Sequence, residues 1–362
     1  MTQTISAPKR EQNKLDSIQV LRAVAALLVV FLHANDGVLK KQWTSVVTPI
    51  FAESGGLGVD IFFVVSGFVM IVTTQNRGSG FAVAREFMLA RLARIVPMYW
   101  MLTTMYVLLL LLVPAKFSEA KFDLPHAIAS YFFIPFNNFR GEPYPVLHVG
   151  WTLTYEMWFY MVFAILMCFT RQYIFPILAI FFSGLSALSV LGSENLLMKT
   201  FTSTLMLEFV FGCGIGVLYL RDTVFSRNLP ILFMAAGMLL FPFLSLYFPD
   251  LDRCIVLGIP SALLILGAVF LERKGSWPNF PIMHRIGDSS YSLYLTHIFT
   301  LPIVMGILLK IDAKHSLHGD LVCVALVFVA AFVGYAVHKL VEKPVDQYLR
   351  GLLISRADGG VP

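Results

Sequence analysis

Apolar stretches long enough to cross a lipid bilayer recur along the whole chain, and they constrain its fold more than any other feature. About ten such stretches, each of roughly 17 to 25 residues, occur within the 362 residues. Only a helix satisfies its backbone hydrogen bonds within one such stretch, because hydrocarbon offers no water as a partner. The sequence therefore predicts an all-α, polytopic membrane protein with about ten transmembrane helices. The predicted spans are 17–36, 57–75, 96–113, 148–169, 172–191, 201–220, 229–248, 254–271, 288–309 and 319–341.

The composition supports this fold class. Hydrophobic residues make up 57% of the chain and charged residues 14%, whereas soluble domains have about 25% charged residues. The small basic excess does not indicate nucleic-acid binding, because basic residues of membrane proteins concentrate in cytoplasmic loops. The four cysteines lie in apolar stretches without C-x-x-C spacing. We interpret them as small core residues rather than disulfides or metal ligands, and we expect no metal.

The distribution of basic residues predicts the orientation in the membrane. An even number of spans places both termini on one side, and most of the 27 lysines and arginines lie in segments on that side. The positive-inside rule then predicts a multi-pass protein of the cell inner membrane with cytoplasmic termini. The predicted parts are an N-terminal tail (1–14), a transmembrane domain (15–345) and a C-terminal tail (346–362). An interfacial helix is expected to start after the last span and to be broken at Pro344.

Two ionisable residues lie inside the first predicted span. Arg22 and His33 are eleven residues apart, which is close to three helical turns, so they share one helix face about 16 Å apart along the axis. Ionisable groups in hydrocarbon usually face a protein interior or a wet cavity, which makes this face a candidate functional site. The alternative is that Arg22 extends to the nearer interface and His33 is a packing residue.

The second span begins with a carboxylate at a similar predicted depth. Asp60 lies three residues inside the outer boundary of that span, and His33 lies about three residues before the outer end of the first. Because the two spans run antiparallel, we expect an Asp60–His33 pair. A carboxylate that orients an imidazole is a common arrangement for a general base acting on a hydroxyl. Alternatively, Asp60 is a favourable residue at the positive end of a helix.

Two arginines share a helix face just before the third predicted span. Arg91 and Arg94 are spaced i, i+3 ahead of Pro97. Two guanidinium groups on one face suit a phosphate, since each offers a planar fork of donors. The alternative is that they follow the positive-inside rule and bind anionic lipid head groups.

A glutamate lies deep in the fourth predicted span. Glu156 is about eight residues, or roughly 12 Å, from the outer end. Because a glutamate side chain cannot reach the interface from that depth, Glu156 needs an internal partner or a proton, and it is a candidate catalytic residue.

Several side chains near the outer face are candidate substrate-binding residues. His148, Trp151 and Tyr155 either offer platforms for a sugar or form an interfacial aromatic belt. The long external segment 114–147, rich in Pro, Phe and Asn, is expected to cover or line a site there. His297, near the midplane of the ninth span, is a further candidate. It forms a stripe on one helix face with two tyrosines at i, i+3, i+6 spacing, a pattern that also fits hydrogen bonding between helices.

Taken together, these motifs resemble the acyltransferase 3 family of bacterial membrane proteins. The likeness rests on LRAVAALLVVFLH in the first span, GVDIFFVVSGFVM in the second, RLAR before the third, GWTLTYEMWFY in the fourth, and YSLYLTH and VEKPV near the C-terminus. It covers nearly the whole chain in order. It is closest to the branch that O-acetylates exopolysaccharides.

The resemblance implies an enzyme that takes an acetyl group from cytoplasmic acetyl-CoA. The acceptor is expected to be a sugar hydroxyl of an exopolysaccharide or lipid-linked glycan at the outer leaflet. Arg22, Arg91 and Arg94 match the family's motifs and are expected to bind acetyl-CoA, while His33 is expected to be catalytic. Family members with an appended periplasmic esterase-like domain are longer, so transfer here is expected to finish within the membrane domain.

Other functions remain open at this level. The chain could be a transporter or flippase of a glycan or small solute, a receptor-like membrane protein, or a member of the unrelated membrane-bound O-acyltransferases that also use an intramembrane histidine. Transporters often show repeat symmetry with helices broken in matched halves, and we find no such pairing in this sequence. Only the order of the motifs quoted above argues against membership of that unrelated acyltransferase family.

Overall fold

The computed structural model is a bundle of helices. Among the residues that it describes there is no β-strand, and ten helical segments are long and apolar enough to cross a membrane. The predicted all-α polytopic fold is therefore confirmed. The described residues are 15–46, 55–114, 121–169, 171–221, 223–226, 228–312 and 316–358.

The helices are numbered along the chain. They are α1 (Asp16–Lys40), α2 (Leu57–Thr74), α3 (Phe81–Leu112), α4 (Leu124–Tyr131), α5 (Trp151–Phe169), α6 (Ile174–Leu188), α7 (Leu196–Phe201), α8 (Met206–Leu220), α9 (Leu229–Tyr247), α10 (Ile259–Arg273), α11 (Pro281–Asp288), α12 (Ser290–Ile311), α13 (Gly319–Val337) and α14 (Lys343–Asp358). Short π-helical turns precede α10 (Cys254–Gly258) and α14 (His338–Glu342). We call the face of the bundle where α1 begins the inner face, in keeping with the predicted orientation.

Two helices are longer than the apolar stretches predict. Helix α1 continues to Lys40, and α3 begins at Phe81 instead of residue 96. The added turns carry charged residues, four of them in α3, so hydropathy excludes these turns although the backbone stays helical. As a consequence, Arg91 and Arg94 lie inside α3, and His33 lies seven residues from the outer end of α1.

The C-terminal end also differs from the prediction. The chain stays helical through Pro344, so the expected break there is wrong. The π-helical turn just before Pro344 changes the local hydrogen-bond register, and this accommodates a residue that has no backbone donor. The predicted C-terminal tail is helical as far as Asp358. The predicted N-terminal tail (1–14) lies outside the described residues.

Helix α1 is at the centre of the bundle. It packs against α2, α10, α11, α12 and α13. Close approach is possible because its inward side chains are small, and Ala23, Ala25, Ala26 and Ala34 are fully buried. The helix that carries both predicted functional groups is thus held by neighbours on most sides.

The outer ends of α1 and α12 are tied together by one carboxylate. The Trp43 indole donates to Asp312 at 3.0 Å, and the backbone amides of Ser316 and Leu317 donate to it at 2.7 and 2.9 Å. The hydroxyl of Ser316, together with these donors, holds the pKa of the Asp312 carboxyl well below its usual range. This contact fixes α1 relative to α12 on the side where His33 lies.

The cysteines are core residues, as the sequence predicts. Cys213, Cys254 and Cys323 are buried, Cys168 is half-buried, and all four are free.

Helices α2 and α8 cross with almost no space between their backbones. A Cβ atom at Gly67 would lie 2.0 Å from the Phe209 carbonyl oxygen, and one at Gly212 would lie 1.9 Å from the Val64 carbonyl oxygen. Real side chains do not tolerate such distances, so glycine is required on both sides of the crossing. The crossing holds α2, which lines the site described below.

We therefore expect Gly212→Ala to push α2 and α8 apart and to destabilise the protein by about 1–3 kcal/mol, the usual cost of overpacking. Thermal unfolding of the purified protein in detergent would show a lower Tm. Gly184→Ala on α6 is the matched control, because a Cβ there meets nothing within 4 Å. Equal Tm values for the two variants would contradict the close crossing.

Candidate active site

A cavity of about 830 Å³ lies between α1, α2, α3, α5 and α12. Its lining on α2 runs from Val59 to Met70, which is about 16 Å of helix. The cavity therefore extends through about half of the hydrocarbon layer, which is roughly 30 Å thick.

Three arginines line the inner part of the cavity. Arg22, Arg91 and Arg94 come from α1 and α3, and the sequence predicts all three as donor-binding residues. The Arg22 guanidinium donates to the Ser290 hydroxyl at 2.9 Å. Within the described part of the chain, Nε of Arg91 is buried without a hydrogen-bond partner. An anion in this cavity would satisfy that donor.

Glu156 faces the same cavity. Its Oε1 atom accepts hydrogen bonds from the Ser66 hydroxyl at 3.1 Å and from the Tyr160 hydroxyl. These two hydroxyls are the internal partners that the depth of Glu156 requires. One carboxylate and three guanidinium groups thus share one enclosed space.

Aromatic side chains close the outer end of the cavity. The Tyr294 hydroxyl donates to the Val149 carbonyl at 2.8 Å and lies 3.0 Å from the Thr152 hydroxyl. The Phe62 ring meets Tyr294 edge-on, with 6.0 Å between centroids. Nearer the arginines, the Tyr291 hydroxyl donates to the Ile95 carbonyl at 2.7 Å. The tyrosines of the ninth-span stripe therefore make the bonds between helices that the sequence offered as the alternative.

Three imidazoles lie beyond this closure. The His33 ring is 5.0 Å from the His297 ring and 6.3 Å from the His148 ring, and His297 is 6.1 Å from Tyr294. His148 is exposed, His33 is half-buried and His297 is fully buried. The sequence predicts these histidines separately, as one catalytic and two substrate-binding residues. The structure brings them together in one cluster.

The predicted Asp60–His33 pair is wrong. Asp60 is fully buried and accepts two hydrogen bonds from Arg253, from Nε at 3.1 Å and from Nη2 at 2.8 Å. The reason is the register of α2 against α1. A Cβ at Gly58 would lie 2.3 Å from the Ala25 carbonyl oxygen, so Asp60 lies more than two helical turns inward of His33.

The tautomer of His33 is set by its own helix instead. Its Nδ1 atom lies 2.8 Å from the Val29 carbonyl oxygen. A carbonyl only accepts hydrogen bonds, so Nδ1 carries the proton and the neutral ring keeps its lone pair on Nε2. Nδ1 of His297 lies 3.3 Å from the Leu293 carbonyl in the same way. A backbone carbonyl thus does the orienting that the sequence assigns to Asp60.

The predicted aromatic platform lies beside the cavity, not within it. The Trp151 and Tyr155 rings are 5.8 Å apart and pack against Phe63 at 6.4 and 6.2 Å. Both are half-buried near the outer end of α5. In the external segment, the Tyr144 ring lies 4.3 Å from the His148 ring at a tilt of 56°, so this residue lines the outer site. Sugar binding by these rings stays a prediction.

Sequence reasoning misses several polar residues of the site. Ser66, Tyr160 and Ser290 carry no signal of their own, since such residues are common in membrane helices. Glu208 and Arg253 could be found, because an ionisable residue within or beside an apolar stretch is itself a signal. Among the described residues, no group of three or more His, Cys, Asp or Glu is arranged to hold a metal ion.

Comparison with known proteins identifies the family. An acyltransferase domain, the acyltransferase 3 domain, matches residues 15–337. The chain belongs to the acyltransferase 3 family. It is thus a membrane-embedded acyltransferase, and the resemblance predicted from its motifs is confirmed.

Relatives in this family match most of the chain. The exopolysaccharide production protein ExoZ of Rhizobium meliloti (strain 1021) is 33% identical over 298 residues, covering 80% of this chain and 89% of ExoZ. The peptidoglycan O-acetyltransferase OatA of Listeria monocytogenes is 26% identical over 332 residues, and the O-acetyltransferase OatA of Staphylococcus aureus is 26% identical over 329. The aligned regions cover 50% and 51% of the two OatA proteins, so this acyltransferase matches about half of their length. Comparison with solved structures finds no significant match.

The contacts of Glu156 predict how the site tolerates substitution. Glu156→Gln keeps an acceptor oxygen for Ser66 and Tyr160, so we expect a Tm close to that of the unmodified protein. Glu156→Leu leaves both hydroxyls without this acceptor, and each buried unsatisfied group costs about 1–3 kcal/mol. Thermal unfolding of both variants tests this. An equally large loss of stability in Glu156→Gln would mean that the charge, rather than the hydrogen bonds, holds the site together.

Proposed function

We propose that this acyltransferase moves an acetyl group from cytoplasmic acetyl-CoA to a sugar hydroxyl at the outer face of the cell inner membrane. The acceptor is an exopolysaccharide repeat unit or a lipid-linked glycan, and both termini lie in the cytoplasm. The names of ExoZ and OatA, one an exopolysaccharide production protein and the other an O-acetyltransferase, support this choice. The observation that carries the proposal is that arginines line the inner part of a cavity and a basic imidazole lies just beyond its outer end.

The donor fits the inner part of the cavity. CoA carries phosphates and a long thioester arm, which require cationic donors followed by a narrow, mostly apolar passage. Arg22, Arg91 and Arg94 supply planar donor groups, and Nε of Arg91 is a buried donor in need of an acceptor. Beyond them the cavity is lined mainly by apolar side chains of α2, with Tyr294 of α12 at its outer end. The acetyl end of the thioester would point toward the outer face.

The acceptor reacts from the opposite side. Nε2 of His33 takes the proton of the sugar hydroxyl while the oxygen attacks the thioester carbonyl carbon. A new C–O bond forms, the C–S bond breaks, and the CoA thiolate leaves. Nδ1 of His33 keeps its bond to the Val29 carbonyl throughout, so the ring holds its orientation while its charge changes. Tyr294 lies between the cavity and the imidazoles, so its side chain must move for the two substrates to meet.

The arginines predict a selective donor defect. We expect Arg91→Gln combined with Arg94→Gln to raise the half-saturating acetyl-CoA concentration by one or more decades, because each lost charge-assisted contact is worth roughly 1.5 to 3 kcal/mol. Half-saturation for the acceptor should change little. Initial rates in membranes, measured over a range of concentrations of each substrate, give the half-saturating concentrations of acetyl-CoA and of the acceptor separately.

Arg85→Gln is the matched control for this experiment, because Arg85 lies on the same helix and is exposed. It should leave both constants unchanged. A defect confined to the acceptor in the double variant would rule out phosphate binding by Arg91 and Arg94.

The imidazole predicts a defect in the chemical step. We expect His33→Ala to fold and to bind acetyl-CoA but to transfer acetyl groups at least about 10² to 10⁴ times more slowly, which is the usual contribution of a general base. Cells that carry this variant in place of the native gene should lack the corresponding O-acetyl groups on their surface polysaccharide. His318→Ala, which changes an exposed histidine, is the control.

A second measurement separates direct transfer from an acyl-enzyme. Purified protein is incubated with radiolabelled acetyl-CoA without acceptor, and label on the protein is sought. Stable label on His33 would replace direct transfer with a two-step reaction. Undiminished transfer by His33→Ala would remove this residue from the mechanism.

A further inference from the structure

A second buried charge cluster lies near the outer face, apart from the donor cavity. Arg253, just before the π-helical turn at the start of α10, donates from Nε and Nη2 to the two oxygens of Asp60, and Nη2 also donates to the Gly56 carbonyl at 3.2 Å. The third member is Glu208 of α8, which is fully buried. The mechanism described above uses none of these residues.

Glu208 completes the cluster as a neutral acid. Neither of its oxygens accepts a hydrogen bond from any described residue, yet its carboxyl group lies against that of Asp60. Two buried carboxylates beside one guanidinium would leave an uncompensated charge, so one of them must hold a proton. Asp60 already accepts from Arg253, so Glu208 is the group that carries the proton and donates it to Asp60. Glu208 also packs against Gly258 in the π-helical turn, where a Cβ would lie 2.9 Å from its Cγ.

This support leaves one end of Arg253 unused. Nη1 makes no hydrogen bond with any described residue and is not buried, and the side chain as a whole is 38% exposed. Arg253 is also close enough to interact electrostatically with Tyr294, which closes the cavity, and with Tyr155 of the aromatic platform. A guanidinium group held at Nε and Nη2 therefore keeps Nη1 as a partly exposed donor in the neighbourhood of these two tyrosines.

We propose that Arg253 binds the acceptor, donating from Nη1 to hydroxyl oxygens of the sugar that stacks on Trp151 and Tyr155. This inference rests on the proposed function. Asp60 and Glu208 are positioning residues, because they act only through the orientation of Arg253. Hydroxyl groups suit the site better than a carboxylate does, since Asp60 already balances the charge of Arg253 and the preceding residue, Asp252, adds a second carboxylate.

A purely structural ion pair would use only Nε and Nη2 of this arginine. Lysine keeps the positive charge beside Asp60 with a single nitrogen, and it has no planar fork with a third nitrogen left over. Arg253→Lys therefore keeps the charge that the fold requires and removes the donors that a sugar would use. It separates the two roles without leaving Asp60 unpaired.

The test uses membranes that contain the full-length protein, saturating acetyl-CoA, and the glycan fraction extracted from cells that lack this gene. We expect Arg253→Lys to raise the half-saturating glycan concentration about tenfold or more, as the loss of hydrogen bonds from a charged donor does. Half-saturation for acetyl-CoA should stay within about twofold. Arg273→Lys, at the inner end of the same helix, is the matched control and should change neither constant.

Two substitutions of Glu208 test its role as a positioning residue. Glu208→Gln keeps a donor for Asp60 and should retain the native acceptor constant, whereas Glu208→Leu should raise it as Arg253→Lys does. If Arg253→Lys fails to fold, Arg253→Gln combined with Asp60→Asn removes both charges together and should give the same acceptor defect.

Each outcome bears on a different claim. If the unmodified protein acetylates nothing in the glycan fraction, the proposed function fails. A second case is that the unmodified protein transfers acetyl groups but Arg253→Lys keeps the native half-saturating glycan concentration, or changes only that of acetyl-CoA. In that case only the role of Arg253 is wrong. A steep rise of the acceptor constant between about 50 and 200 mM salt would identify a carboxylate contact and overturn the assignment to hydroxyls.

Discussion

An ionisable side chain within the hydrocarbon layer is stable only beside a partner, and this constraint organises the bundle. Three solutions to it are visible here. Arg22 is held by a hydroxyl and lines a cavity that also contains a carboxylate, Asp60 accepts from both Nε and Nη2 of Arg253, and the Glu208 carboxyl group lies against that of Asp60. Because each partner comes from a different helix, these pairings also determine which helices are neighbours.

Helix α1 joins the two halves of the reaction site. Its arginine lines the cavity with α3 and α12, and its histidine lies in the imidazole cluster with His297 of α12 and His148 ahead of α5. The fully buried alanines between them allow the neighbouring helices to approach closely. A closely packed helix keeps the distance between Arg22 and His33 constant. This suits the proposed reaction, in which the two substrates arrive from opposite faces.

Hydropathy was sufficient to predict the ten spans, because each is about as long as the hydrocarbon layer is thick and few charges interrupt it. It failed at the ends of α1 and α3, where the helix continues through charged residues. It also could not give the register of α2 against α1, which places Asp60 inward of His33. Helical spacing was enough to group Arg91 with Arg94. The partner of Asp60 lies 193 residues away in sequence, so neither periodicity nor local spacing could indicate it. The three histidines likewise come from distant segments, and only the packing of α1, α5 and α12 brings them together.

The closure of the cavity by Phe62 and Tyr294 has an electrical consequence. A protein that passes a chemical group across an energised bilayer must not become a proton conductor, since each proton that leaks dissipates about 2.3 kcal/mol per 100 mV. A file of water from the arginines to the imidazoles would be such a leak. The edge-on contact of the two rings, anchored by the Tyr294 hydroxyl on the Val149 carbonyl, lies between the arginines and the imidazoles and would interrupt that path. Under the proposed function, the side chains that separate donor from acceptor would therefore also insulate the membrane while the enzyme is at rest.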